Sequence, residues 1–172
     1  GAIAGVNKES GRIGECYNSA DIQAGSSTVG GIAARNSGGK IENCYNIGNV
    51  LLKCSESDVW VENGGIVGAT KNGTIKNCMN LGFLNLSHNV LPGGIAGESD
   101  GTQIINCYSI SNFTSNELGE KLDLEQLREK DVYKGFDFTD VWCMDSESTY
   151  PFPYLNQQGQ PVISRGLEWE SG

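Results

Sequence analysis

Six cysteines are the residues of this chain with the most chemistry open to them. Cys16, Cys44, Cys78 and Cys107 recur at intervals of 28, 34 and 29 residues, while Cys54 and Cys143 stand outside that series. Thiolates can ligate soft metals, act as nucleophiles or pair as disulfides, and the spacing of the sulfurs decides which. Other reactive groups are sparse. His88 is the single histidine; it lies in Ser87-His88-Asn89 with no assignable Ser-His-Asp partnership, so it reads as a loop residue. Acidic residues gather as Glu56, Asp58 and Glu62, and as Asp137, Asp140 and Asp145. Carboxylates so grouped could serve a glycosidase or hold calcium, but neither set follows a calcium-loop spacing. Solvated surface charge is the simpler reading.

The elements that must position the cysteines are visible as an internal repeat. Unit one carries Ile3-Ala4-Gly5, Ile13 and Cys16-Tyr17-Asn18. Unit two carries Gly31-Ile32-Ala33-Ala34, Ile41, Cys44-Tyr45-Asn46, Gly48 and Val50. Unit three has Gly65-Ile66-Val67-Gly68, Ile75, Cys78-Met79-Asn80, Gly82 and Leu84; unit four has Gly94-Ile95-Ala96-Gly97, Ile104 and Cys107-Tyr108-Ser109. In every unit the cysteine follows the second isoleucine by three. The longer middle period places extra residues around 53–61, read as a loop. Each unit offers three short apolar stretches bounded by Gly, Asn or Ser, which read as strands, and no sustained helical stripe. Three strands in about 29 residues make roughly one turn of a solenoid, whose inner face is buried only when turns stack in parallel.

In that frame the glycine pairs Gly30-Gly31, Gly64-Gly65 and Gly93-Gly94 mark tight turns or positive φ. Asn18, Asn46 and Asn80 suit corners and could stack as an amide ladder. The odd offset between Ile41 and Cys44 would put them on opposite faces of a straight strand. A bend at Glu42-Asn43 would turn both inward, and the burial preference of cysteine favours it over the rival arrangement with Ile41 and Tyr45 inside. The four cysteines then form a column. Spread over roughly 14 Å, they cannot close a tetrahedral zinc site. Their Cβ spacing of about 4.8 Å exceeds the usual disulfide range. Free thiols are expected.

The bulk properties narrow the partners. The net charge is -9, which repels phosphate backbones and anionic lipid heads; nucleic-acid partners and membrane insertion are not expected. The chain opens inside a repeat, so it is expected to be a piece of a longer protein whose targeting signal lies upstream.

The quoted residues resemble the GLUG repeat, a glycine-rich unit of bacterial surface proteins, among them adhesin-like chains and some immunoglobulin A peptidases. Gly31 to Val50 fits closely and Gly64 to Leu84 nearly as well, and the resemblance covers about residues 1–113. Departures are Ala34 for Gly, Met79 for Tyr, Ser109 for Asn and the insertion before unit three. Phe136-Asp137-Phe138, Val141-Trp142 and Tyr150-Pro151-Phe152-Pro153-Tyr154-Leu155 resemble the segment that closes such arrays. The resemblance implies a surface-exposed, non-catalytic segment of a larger protein; the His-Glu-x-x-His pattern of the peptidases is absent from the sequence.

The expected fold is all-β, a parallel β-solenoid of about four rungs over 1–115, right-handed by the usual chirality of parallel crossovers. A C-terminal cap over 116–155 with a short helix at about 122–130 would cover the last rung, and 156–172 would form a tail. The expected function is structural or adhesive, extracellular or on the cell surface, with no cofactor. Its partners would be other domains of the parent protein, and host protein or glycan. Trp60, with Asp58 and Glu62, is the best candidate for partner contact. The rival reading is a β-helical carbohydrate-active enzyme or an accessory domain of a surface peptidase.

Overall fold

The computed structural model of the chain describes residues 1–25, 28–53, 61–85, 90–110 and 116–162. Through the repeat region, short strands pair in parallel with their counterparts one unit away. Ala4–Lys8, Ala33–Ser37, Val67–Lys71 and Ala96–Asp100 form one sheet. Arg12–Gly14, Lys40–Glu42, Thr74–Lys76 and Gln103–Ile105 form a second. The third comprises Tyr17–Asn18, Tyr45–Asn46, Met79–Asn80 and Tyr108–Ile110, extended by Glu120–Leu122. Two smaller sheets join Ile22–Ala24 to Val50–Leu52, and Val29–Gly30 to Val61–Gly64 and Val90–Gly93. This is a parallel β-solenoid. Its register is that of the repeat: Ile13, Ile41, Ile75 and Ile104 are successive partners, as are Tyr17, Tyr45, Met79 and Tyr108.

The count of three strands per unit is too low. The stretch from Thr74 to Met79 is two strands, because Asn77 interrupts it at φ 53°. Glu15, Asn43 and Asn106 hold the same left-handed conformation, at φ 53°, 52° and 51°. This is the expected bend, centred on Asn43, and it leaves Ile41 and Cys44 both fully buried. Asparagine tolerates the left-handed region better than most residues. Asn18, Asn46 and Asn80 serve their corners through the side chain, from short strands without positive φ.

The paired glycines lead into bends at Gly31-Ile32, Gly65-Ile66 and Gly94-Ile95, as one of the two expected roles requires, but without the positive φ of the other. None of Gly30, Gly31, Gly64, Gly65, Gly93 and Gly94 has positive φ. Gly30, Gly31, Gly64, Gly65 and Gly93 are required by close approach: a Cβ on Gly65 would collide with the Asn80 side chain and the Gly94 carbonyl. That carbonyl belongs to the backbone one turn away and cannot retreat without opening the sheet. Gly65→Ala is therefore expected to cost about 3 kcal/mol, at the upper end for overpacking. Urea unfolding should show a lower midpoint with an unchanged slope.

The interior is divided. Isoleucines 13, 32, 41, 66, 75 and 95 pack with Cys44, Cys78 and Cys107 in one cluster. Val29, Val50, Leu52, Val61 and Leu84 form a second. The third lies on the other side of the Cys-aromatic dipeptides, where Tyr45, Met79 and Tyr108 meet residues of the C-terminal segment.

That segment forms the expected cap, with a shorter helix. The helix is a single turn, Leu124–Leu127, with the Asp123–Gln126 capping box; a 3-10 turn follows at Lys130–Val132. The chain turns early because Leu127 is already buried and Tyr133 must return beneath it, its hydroxyl donating to the Leu127 carbonyl at 2.6 Å. Glu120–Leu122 covers the last turn by pairing with Tyr108–Ile110, with Leu118 packed on the isoleucine–cysteine cluster, and the rest of the segment runs back along the flank. Tyr108 Oη donates to the Lys134 carbonyl beside unit four, at 3.2 Å. Trp142 packs on Tyr45 of unit two, ring centroids 5.9 Å apart, and Gln158 Nε2 donates to the Glu15 carbonyl of unit one at 2.8 Å. The physical reason is the outward row of aromatic side chains, which needs cover along its whole length.

Burial holds the phenols of Tyr45, Tyr133 and Tyr150 above the ordinary tyrosine value. The fold favours their neutral form, so stability is constant below the unfolded value near pH 10 and falls above it. Three such groups give a slope of about 4 kcal/mol per pH unit. Urea titrations between pH 8 and 11.5 should show this decline, together with delayed phenolate absorbance in the folded protein.

Candidate functional site

The residues singled out by chemistry fall into separate places. Among the described residues, Cys16, Cys44, Cys78, Cys107 and Cys143 are free thiols. The first four form a column in which each thiol donates to a carbonyl of its own turn: Cys16 to Gly14 and Cys44 to Glu42 at 3.2 Å, Cys78 to Lys76 and Cys107 to Ile105 at 3.3 Å. Burial pushes the Cys78 thiol well above its ordinary value, and its neighbours Cys107 and Cys44 add to the effect. Cys16 is raised chiefly by its contact with Cys44. The Cys44 thiol is lowered, chiefly by its neighbours Cys16 and Cys78. Cys54 lies outside the described residues.

The conserved-looking amides of the repeat form ladders. Asn18 Nδ2 donates to Asn46 Oδ1, and Asn46 Nδ2 to Asn80 Oδ1, both at 2.8 Å. Each amide also closes its own corner, with Nδ2 donating to the carbonyls of Ala20, Gly48 and Gly82. A second row links Asn7 to Asn36 at 2.9 Å, Asn36 to Thr70 at 3.3 Å, and Thr70 to Thr102 at 2.9 Å. The bend asparagines make a third, Asn106 to Asn77 to Asn43, both links at 3.3 Å. Its last oxygen accepts from Trp142 Nε1 at 3.4 Å. The sequence pattern contained this third row, since Asn precedes Cys in units two to four, but its tie to the C-terminal segment had no local signal.

Of the proposed contact residues, Trp60 and Asp58 lie outside the described residues, as do Glu56 and His88. Glu62 accepts a hydrogen bond from Thr28 Oγ1 and lies 3.9 Å from Arg35, which itself donates to Thr28 at 2.8 Å. Its charge is balanced by this exposed network, worth at most about 1 kcal/mol. Asp137 Oδ1 accepts from the amides of Thr139 and Asp140, and Asp145 Oδ1 from that of Glu147. These carboxylates build turns. The outer face of the second sheet presents rows of mixed character: Arg12, Lys40, Thr74 and Gln103, then Gly14, Glu42, Lys76 and Ile105.

Among the described residues, no helix is long and apolar enough to cross a membrane. The family model of the GLUG motif matches residues 25–51, which span the glycine pair, the Cys44 bend and the start of the strand Val50–Leu52. The chain thus carries a GLUG-type repeat. No curated protein and no solved structure matches it.

Proposed function

We propose that the chain is a non-catalytic structural or adhesive repeat module of a bacterial cell-surface or secreted protein. The observation that supports this reading is where the recurring residues go. The isoleucines and cysteines fill the core, and the asparagines spend their donors and acceptors on neighbouring turns. What recurs in the sequence thus builds the stack and holds its register. The variable positions, on the outer rows and around 53–61, are left for partners such as host protein or glycan, and the module projects or spaces the other domains of its parent chain.

Two measurements on the purified chain test this. Incubation with panels of polysaccharides and peptides should release no reducing ends or new amines; turnover that co-purifies with the chain would overturn the proposal. Binding to arrayed glycans and extracellular host proteins, compared with Trp60→Ala, separates adhesion from spacing. Binding lost in the variant assigns contact to the 53–61 region, and binding retained moves it to the outer sheet faces.

A further inference from the structure

The four core thiols are stacked in register. The amide of Tyr45 donates to the Cys16 carbonyl at 3.1 Å, that of Met79 to Cys44 at 3.0 Å, and that of Tyr108 to Cys78 at 2.9 Å. Each cysteine therefore sits one turn from the next, a spacing of about 4.8 Å in a parallel sheet. The sulfurs also lean toward the preceding turn, Cys44 Sγ lying 3.8 Å from the Ile13 carbonyl, Cys78 Sγ 3.9 Å from that of Ile41 and Cys107 Sγ 3.6 Å from that of Ile75. Each also has a carbonyl of its own turn to receive its proton. The sulfurs thus form one column, and no disulfide joins them.

This arrangement suits one kind of ligand. Among the described residues no three His, Cys, Asp or Glu side chains converge on a point where a metal could sit, which disfavours zinc and other ions that need three or four donors. Soft cations with a filled d shell accept two sulfur donors in line, here one thiolate and one neutral thiol. With metal–sulfur bonds of about 2.3 Å, a linear S–M–S unit spans about 4.6 Å, close to one step of the stack.

We propose that the cysteine column is a binding site for a soft monovalent cation such as Cu(I), held two-coordinate between stacked neighbours, Cys16 with Cys44 and Cys78 with Cys107. Each ion forms two metal–sulfur bonds and displaces one proton to solvent. The pair is left as one thiolate and one thiol, so the buried site carries no net charge and no electron is transferred. Cys16 is the partly exposed member of the column and gives the ion its way in.

The test uses Ag(I), a redox-stable probe, on the reduced chain carrying Cys54→Ser and Cys143→Ser. Thiolate-to-silver absorbance and proton release report uptake. The folded chain should take two ions. Adding Cys78→Ser and Cys107→Ser keeps an adjacent pair and should leave one ion. Adding Cys44→Ser and Cys107→Ser instead keeps Cys16 and Cys78, two steps apart at about 10 Å, and should abolish binding at the same silver concentration. Equal binding by these two variants, or no uptake by the folded parent, overturns the proposal. If a variant fails to fold by circular dichroism, X-ray absorption on the silver-loaded parent decides. Two sulfurs per silver support the paired site, and one sulfur refutes it.

Discussion

Asn46→Ala is expected to lower the unfolding free energy by about 4 kcal/mol. Asn46 is fully buried and sits at the middle of the inner ladder. It accepts from Asn18 and donates to both Gly48 and Asn80. Truncation leaves a donor on Asn18, an acceptor on Asn80 and the Gly48 carbonyl without this partner, and each orphaned group costs about 1–3 kcal/mol. The cavity adds to the loss. Leucine would not rescue the variant, because a Cβ on Gly31 already has no room beside Asn46, and an apolar side chain restores none of the bonds. Asn18→Ala, at the end of the same row, removes one inter-turn bond rather than two and should cost about half as much. Chemical denaturation of the three proteins checks both the size and the ratio. Equal, small losses would mean that the amides contribute little beyond filling space.

The second large effect is expected at Trp142. It is among the largest fully buried side chains, stacked on Phe136 at 4.4 Å and tilted against Tyr45. Trp142→Ala should cost about 3–5 kcal/mol, as for other buried aromatic truncations. The loss should be concentrated in the C-terminal segment, because Trp142 is its contact with unit two while the isoleucine–cysteine cluster is built without it. Limited proteolysis should cleave the variant within 116–162 well before the repeats. Uniform digestion of the whole chain would instead show that the stack depends on the segment to fold.

The two predictions draw on features that differ in how far they could be read from sequence. The isoleucine and cysteine columns were legible because stacking demands equal offsets, and the offset of three between Ile41 and Cys44 announced a bend. The amide ladder followed from Asn at 18, 46 and 80. Its conformation did not, because an asparagine at a corner can serve by its backbone or by its side chain, and here the two tasks fall to different residues: Asn43 takes the left-handed backbone and Asn46 the buried amide. The glycine pairs were legible only in part, as bends, for a related reason. Sequence shows that a side chain is excluded, but only the neighbouring turn shows that space, not φ, excludes it. The course of the C-terminal segment was hidden most deeply. Its aromatic residues declare that they need a surface, and the outward Tyr17, Tyr45 and Tyr108 declare that they need cover. Nothing local says that the two needs meet along the flank as well as at the end. Of the candidate contact residues, Glu62 alone falls within the described residues, and its surroundings in Thr28 and Arg35 depend on a register that spans the insertion.

The flanking course of that segment bears on how the array comes apart. A stack in which each unit touches only its neighbours behaves as a one-dimensional chain of coupled elements, and it loses its terminal units first. Here residues 143 and 99 positions downstream fasten unit one through Gln158 and unit two through Trp142, while Lys134 holds unit four. Fraying at either end must therefore break contacts with a strip that also grips the middle. The coupling is no longer nearest-neighbour, and the expected melting is a single transition in place of a progressive loss of turns. For a module that bears load between other domains, this means that tension reaching one end is shared along the length of the stack before any turn is released.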